Sequence, residues 1–178
     1  KAIHLTEIKL SKDNEILVKG KSLMQGYWKD TESTEKTIVN GWLRTGDLGY
    51  IDNDNYLKIL GRKNEMIVNS GGENIAPEPL EDLFLTFEEI DQIMIYGHEK
   101  PYLVALVYPS EEIGHNTKII KRIFDQVNLN LSTIKKVRKF FLIKEPFTNT
   151  NLQLTPTLKM KRRIIERSYI KELNTLYK

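Results

Sequence analysis

GWLRTGDLGYIDNDNYLKILGRKNEMIVNSGGENIAPEPLE, residues Gly41 to Glu81, decides how the chain is read. Three features lie close together in it. Thr45-Gly46 leads to Asp47 in what reads as a turn. Gly61-Arg62 closes the strand-like run Tyr56 to Leu60. Gly71-Gly72-Glu73-Asn74 then leads to Pro77, Pro79 and an amphipathic run. Taken singly, each has a plain explanation. Gly and Asp favour turns, a Gly pair marks a bend, and an isolated Arg is a solvated side chain. Their shared order and spacing carry more than any one of them.

Outward from this stretch, composition sets the bounds. At 178 residues the chain is long enough for one or two domains with a buried core. A net charge of +3 does not suit a dedicated nucleic-acid binder. There is no Cys, so disulfides, thiolate ligands and a thiol nucleophile are excluded. The longest apolar run, Tyr102 to Tyr108, is far too short to span a bilayer as a helix. No signal-peptide pattern is visible, Lys1 is not expected to be a native start, and the expected location is cytoplasmic.

Residues 1–60 read as strands and turns. Ile3, Leu5, Ile8 and Leu10 nearly alternate, and Glu15 to Lys19 follows a Lys12-Asp13-Asn14 turn as a second strand. Thr31 to Val39 reads as a short helix capped by Asp30 or Thr31. Asp52-Asn53-Asp54-Asn55 lacks the Gly and distal Glu of a calcium loop and reads as a hairpin turn.

Beyond Arg62 the pattern changes. Met66 to Asn69 is strand-like. Pro77 and Pro79 suit a first helical turn, and Leu80, Leu83, Phe84 and Phe87 form its apolar face. Ile90 to Tyr96 and Tyr102 to Tyr108 read as core strands joined by a hairpin over Gly97 to Pro101. Ile119 to Val127 marks an amphipathic helix capped by Asn116 or Thr117, and Val137 to Ile143 another strand. Thr148 to Thr157 is a polar loop. Ile165, Tyr169, Leu173 and Tyr177 recur every four residues, which predicts one final helix. The mixture predicts a small α+β domain with a three-stranded sheet.

GWLRTGD, Gly61-Arg62, GGENIAP and LTPTLKMKRR together resemble the adenylate-forming enzymes, and among them the long-chain fatty acid–CoA ligases. The resemblance covers nearly the whole chain, EILVKGKSLMQGYWKD included. It implies that residues 1–61 are the β-rich end, a β-barrel portion, of a large N-terminal domain. Residues 62–178 would be the mobile, mixed-sheet α+β C-terminal domain.

It also implies roles. Asp47 would accept hydrogen bonds from the AMP ribose hydroxyls, where a charged acceptor strengthens the bonds. Arg62 would lie beside the ribose and phosphate. Asn64 stands at the hinge, where the family usually has Asp or Lys; Asn tolerates left-handed backbone. Gly71, Gly72, Glu73 and Asn74 would line the tunnel for the CoA pantetheine, with glycines permitting close approach. Lys159 would be the adenylation lysine, with Lys161 and Arg162 as flanking basic residues. His4, His98 and His115 are scattered, and no metal site is expected among these residues.

The implied activity has two steps: a fatty acid and ATP give acyl-AMP and pyrophosphate, then CoA gives acyl-CoA and AMP. Magnesium is expected for the full enzyme, bound outside this stretch. No phosphate loop or acyl tunnel appears here, so the missing N-terminal domain is the implied partner. Membrane association is expected only through the substrate. A carrier-protein ligase, an adenylation module and a non-catalytic nucleotide-binding or regulatory module are the alternatives.

Overall fold

The computed structural model describes residues 4–178. Residue contacts divide the chain into two compact units, 1–65 and 66–178.

In the first unit, β1 (Thr6–Leu10) and β2 (Glu15–Gly20) form a hairpin, and β2 pairs with the long β4 (Trp42–Ile51). The other edge of β4 pairs first with β3 (Ile38–Val39) and then with β5 (Leu57–Arg62), all antiparallel. Between β2 and β3, α1 (Thr31–Thr37) starts at Asp30, whose carboxylate accepts the Ser33 N–H at 2.9 Å. The β4–β5 hairpin turns where expected: Asp52 Oδ1 accepts the N–H groups of Asp54 and Tyr56.

Two expectations change here. The strand placed from Ile3 begins at Thr6. Leu5 has φ 62 and is exposed, which ends the extended run, while Ile3 lies outside the described residues. Asp47 is in β4, not in a turn. Between Arg44 and Leu48, β4 advances four residues while β2 advances only from Leu17 to Glu15. Thr45-Gly46-Asp47 therefore bulges out of that ladder, with Gly46 at φ 73.

The second unit is built on a three-stranded sheet in the order β10 (Val137–Leu142), β9 (Leu103–Pro109), β8 (Ile90–Tyr96). β8 and β9 are antiparallel. β10 lies parallel to β9 after the crossover helix α3 (Thr117–Leu129). Asn116 caps α3 by accepting the N–H groups of Lys118 and Ile119.

The continuous apolar runs of β8 and β9 arise because both faces are covered. Ile93, Ile95, Leu103, Ala105 and Val107 pack with Leu80 and Phe84 of α2 (Glu78–Phe84) and with Ile120, Ile123 and Phe124 of α3. Met94, Tyr96, Val104 and Leu106 face the other way, against Ile143, Phe147, Ile165 and Leu173. A two-residue pair, β6 (Ile67–Val68) and β7 (Asn74–Ile75), completes the unit.

The predicted final helix is two: α4 (Arg162–Ser168) and α5 (Ile170–Thr175), broken at Tyr169 with φ −114 and ψ 20. Ile165 and Leu173 are still buried together, so the four-residue spacing marks a common face across the break. Tyr177 lies past α5, its hydroxyl donating to the carbonyls of Tyr96 and Tyr102. In α2, Leu83 is exposed rather than packed, and Phe87 falls after the helix. Glu81 takes the inward position instead, 3% exposed.

Candidate functional site

In the first unit, the bulge decides where Asp47 stands. Thr45 Oγ1 donates to the Ile16 carbonyl at 2.9 Å and accepts the Asp47 N–H at 3.0 Å. Glu15 sits beneath the bulge, its Oε1 accepting the Gly46 N–H at 3.2 Å and its Oε2 accepting from Arg44 at 2.8 Å. Lys63 adds a second cation at 3.5 Å. The Arg44 hydrogen bond and charge, the Gly46 N–H and Lys63 together hold the Glu15 carboxyl below its ordinary range, against the effect of burial.

Asp47 is paired across β4 and β5 with Arg62. Asp47 Oδ1 lies 3.0 Å from Arg62 NH1, which also donates to the Thr45 carbonyl at 3.0 Å. Two sequence candidates are thus brought side by side. The carboxylate is partly open at 27% side-chain exposure, so it retains accessible acceptor capacity. Glu15, which shapes this site, was missed; the only sequence signal is an acidic residue heading an apolar strand.

Asn64 lies in a single 3-10 turn, Lys63–Glu65, and is exposed. Its backbone is not among those with positive φ. Arg62 and Asn64 both belong to the first unit.

In the second unit, Gly71 to Asn74 forms the exposed tip of the β6–β7 hairpin. Asn69 organises it: its Oδ1 accepts the N–H groups of Gly71 at 2.9 Å and Glu73 at 3.0 Å. An Asn ahead of Ser-Gly-Gly is the signal that would have found it. The Ser70 N–H donates to the Lys100 carbonyl, tying the tip to the β8–β9 hairpin. Gly72 has φ 81 with open space where a Cβ would stand, so the backbone conformation rather than crowding requires Gly.

Lys159 is exposed on a tight loop. The Thr155 N–H donates to the Lys159 carbonyl at 2.8 Å, and the Lys159 N–H to Thr155 Oγ1 at 3.0 Å. Leu154 and Met160 bridge the base, and the Lys161 N–H reaches the Gln153 carbonyl at 2.8 Å. Arg162 is not a solvated flanking cation. Its NH1 and NH2 donate to Glu81 Oε1 and Oε2 at 2.7 and 2.5 Å, with the Arg side chain 15% exposed. Burial pushes the Glu81 carboxyl up, opposed by Arg162 and by the Ile95 N–H.

His98 is a hairpin residue whose Nδ1 accepts the Val68 N–H at 3.3 Å. Among the described residues, no group of three or more His, Asp or Glu comes together to hold a metal ion.

Residues 64–178 match the family model of the AMP-binding enzyme C-terminal domain, and the chain belongs to that family. It is 32% identical to the long-chain-fatty-acid–CoA ligase FadD15 of Mycobacterium tuberculosis, over 96% of this chain and 32% of that protein. It is similar to the o-succinylbenzoate CoA synthetase of Bacillus subtilis, solved with its acyl-adenylate intermediate. That match has TM-score 0.77 and 28% identity, covering 93% of this chain and 34% of the other. The adenylation domain of a Mycobacterium chelonae carboxylate reductase shares the fold at TM-score 0.85 and 24% identity, over 97% of this chain and 30% of that one. The chain thus spans about a third of the length of the curated relative it matches.

Proposed function

We propose that this chain is the C-terminal portion of an ATP-dependent acyl-CoA synthetase acting on long-chain fatty acids. In the first step a carboxylate oxygen attacks the α-phosphorus of ATP, and the bond to pyrophosphate breaks. In the second, the CoA sulfur attacks the acyl carbonyl of acyl-AMP, AMP leaves, and the thiol proton passes to solvent. The phosphate-binding parts, the acyl site and the magnesium ion belong, in this proposal, to the rest of the protein. The location is cytoplasmic, and membrane contact comes only through the fatty acid.

The observation that carries this reading is the Asp47–Arg62 pair, 3.0 Å apart on neighbouring strands. Arg62 binds one Asp47 oxygen and fixes the carboxylate's direction. The remaining lone pairs accept the two ribose hydroxyls of AMP. Lys159, on its exposed loop, supplies positive charge where the carboxylate and α-phosphate meet. The loop of Gly71, Gly72, Glu73 and Asn74 serves the thioester step, its exposed backbone lining the path of pantetheine. Asn64, two residues before the second unit begins, is the hinge that exchanges one for the other.

The test is pyrophosphate exchange with a long-chain fatty acid in the full-length protein. Asp47→Ala is expected to weaken ATP use by about 1.5–3 kcal/mol for each charge-assisted bond lost. An unchanged ATP dependence removes Asp47 from the ribose site.

A further inference from the structure

Glu81 is a buried charge that the proposed chemistry leaves unused. It lies on the inner side of α2 and is 3% exposed. Its Oε1 accepts the N–H of Ile95 at 2.7 Å, on β8, an edge strand of the sheet. Both of its oxygens accept the Arg162 fork. Burying a carboxylate is costly unless it is paired and hydrogen-bonded, and here three donors converge on it. The pair joins residues 81 positions apart in sequence. It also joins the two faces of the sheet, since α2 packs with one core cluster and α4 with the other.

Arg162 holds the foot of the Lys159 loop. It is the first residue of α4, directly after Lys161, whose N–H closes the loop base on the Gln153 carbonyl. The apolar contacts of the loop are at its base, where Met160 packs on the second core cluster beside buried Leu154. Leu158, at its tip, is 72% exposed, and Thr155 and Lys159 bond chiefly to each other. Its direction is therefore set at its feet, by buried Leu154 on one side and by Met160 and the Arg162 fork on the other. A guanidinium fork fixes orientation as well as distance, which a single ammonium contact does not.

We infer that the Glu81–Arg162 ion pair is the anchor that sets the position of Lys159 for adenylation. Glu81 and Arg162 are then positioning residues of that half-reaction, an inference that rests on the role proposed above for Lys159. The pair touches neither substrate nor the reacting atoms. It acts by holding the loop within the narrow range of positions from which an ammonium can meet developing charge.

The test uses Arg162→Lys and Glu81→Gln in the full-length protein, each with two half-reactions. Exchange driven by fatty acid and ATP is expected to fall about tenfold to a hundredfold, in kcat rather than in KM for ATP. Thioester formation from supplied acyl-AMP and CoA is expected to stay near the wild-type rate, which also reports that the protein is folded. Adding Lys159→Ala to either variant is expected to cost no more than Lys159→Ala alone, because the pair acts through that lysine. Equal loss of both half-reactions would make the pair a general folding support and overturn the inference. Loss that adds to that of Lys159→Ala, or no loss at all, would overturn it too. If Lys159→Ala alone leaves adenylation intact, the role of Lys159 fails first and takes this inference with it.

Discussion

Among the described residues of the first unit, Ile16 is the one buried apolar side chain, whereas the second unit packs two clusters on opposite faces of one sheet. Tyr50, Ile59 and Leu60 of the first unit are exposed. Its shape comes instead from strand pairing and from polar contacts under a bulge, where Glu15 meets Arg44 and the Gly46 N–H. The two sets of site residues inherit this difference. Asp47 and Arg62 are set by a local ladder irregularity. Lys159 is set by a distant ion pair seated at the edge of a packed sheet. Local chemistry suffices to present a carboxylate, while the exposed loop of Lys159 rests on a packed body.

The largest expected effect is in the packed unit. Phe84 is fully buried and packs on Phe124 in a tilted pair with ring centroids 4.5 Å apart. Phe84→Ala should destabilise the second unit by about 3–5 kcal/mol. Hydrogen exchange should show faster opening of β8 and β9 with little change in β4 and β5. Equal loosening of both units would mean that they do not stand on separate cores.

A smaller effect is expected in the polar unit, and it depends on pH. The folded-state value of Glu15 is depressed, so its stabilising contribution is present above the ordinary value of 4.5 and is lost as pH falls through the lower folded value. Exchange protection of β2 and β4 should therefore drop on acidification. Glu15→Gln should flatten that slope on the acid side. An unchanged slope would mean that the charge of Glu15 does not hold the bulge.

The smallest expected effect is at Gly72. Ala there meets no neighbour but must adopt φ 81, at about 1–2 kcal/mol. The cost should appear as slower thioester formation with adenylation nearly intact. Equal slowing of both steps would detach the loop from the CoA path.

What the sequence made legible follows the same division. The apolar runs of β8 and β9 and the capped periodicity of α3 predict their elements because burial dictates those residues. Asp47 misled because Gly-Asp serves a bulge as well as a turn. Glu81 was passed over because apolar spacing favoured Leu83, and the partner that makes Glu81 tolerable inside is Arg162, far along the chain. The break at Tyr169 carries no Gly or Pro, the residues that usually punctuate a helix. Asp47, Arg62, the glycine loop and Lys159 come together as candidates through family resemblance alone. Their anchors, Glu15, Asn69 and Glu81, emerged only from the contacts that they make.

The central claim is that Lys159 serves one half-reaction and the Gly71 to Asn74 loop the other. It is tested most directly by Lys159→Ala in the full-length protein, with the two steps measured separately. Fatty acid and ATP report adenylation, and preformed acyl-AMP with CoA reports thioester formation. Loss of a preorganised charge should slow adenylation by about a hundred- to a thousandfold, while the thioester step stays close to the wild-type rate. An equal fall in both steps would contradict the division of labour, and no fall in either would leave Lys159 as an ordinary solvated lysine.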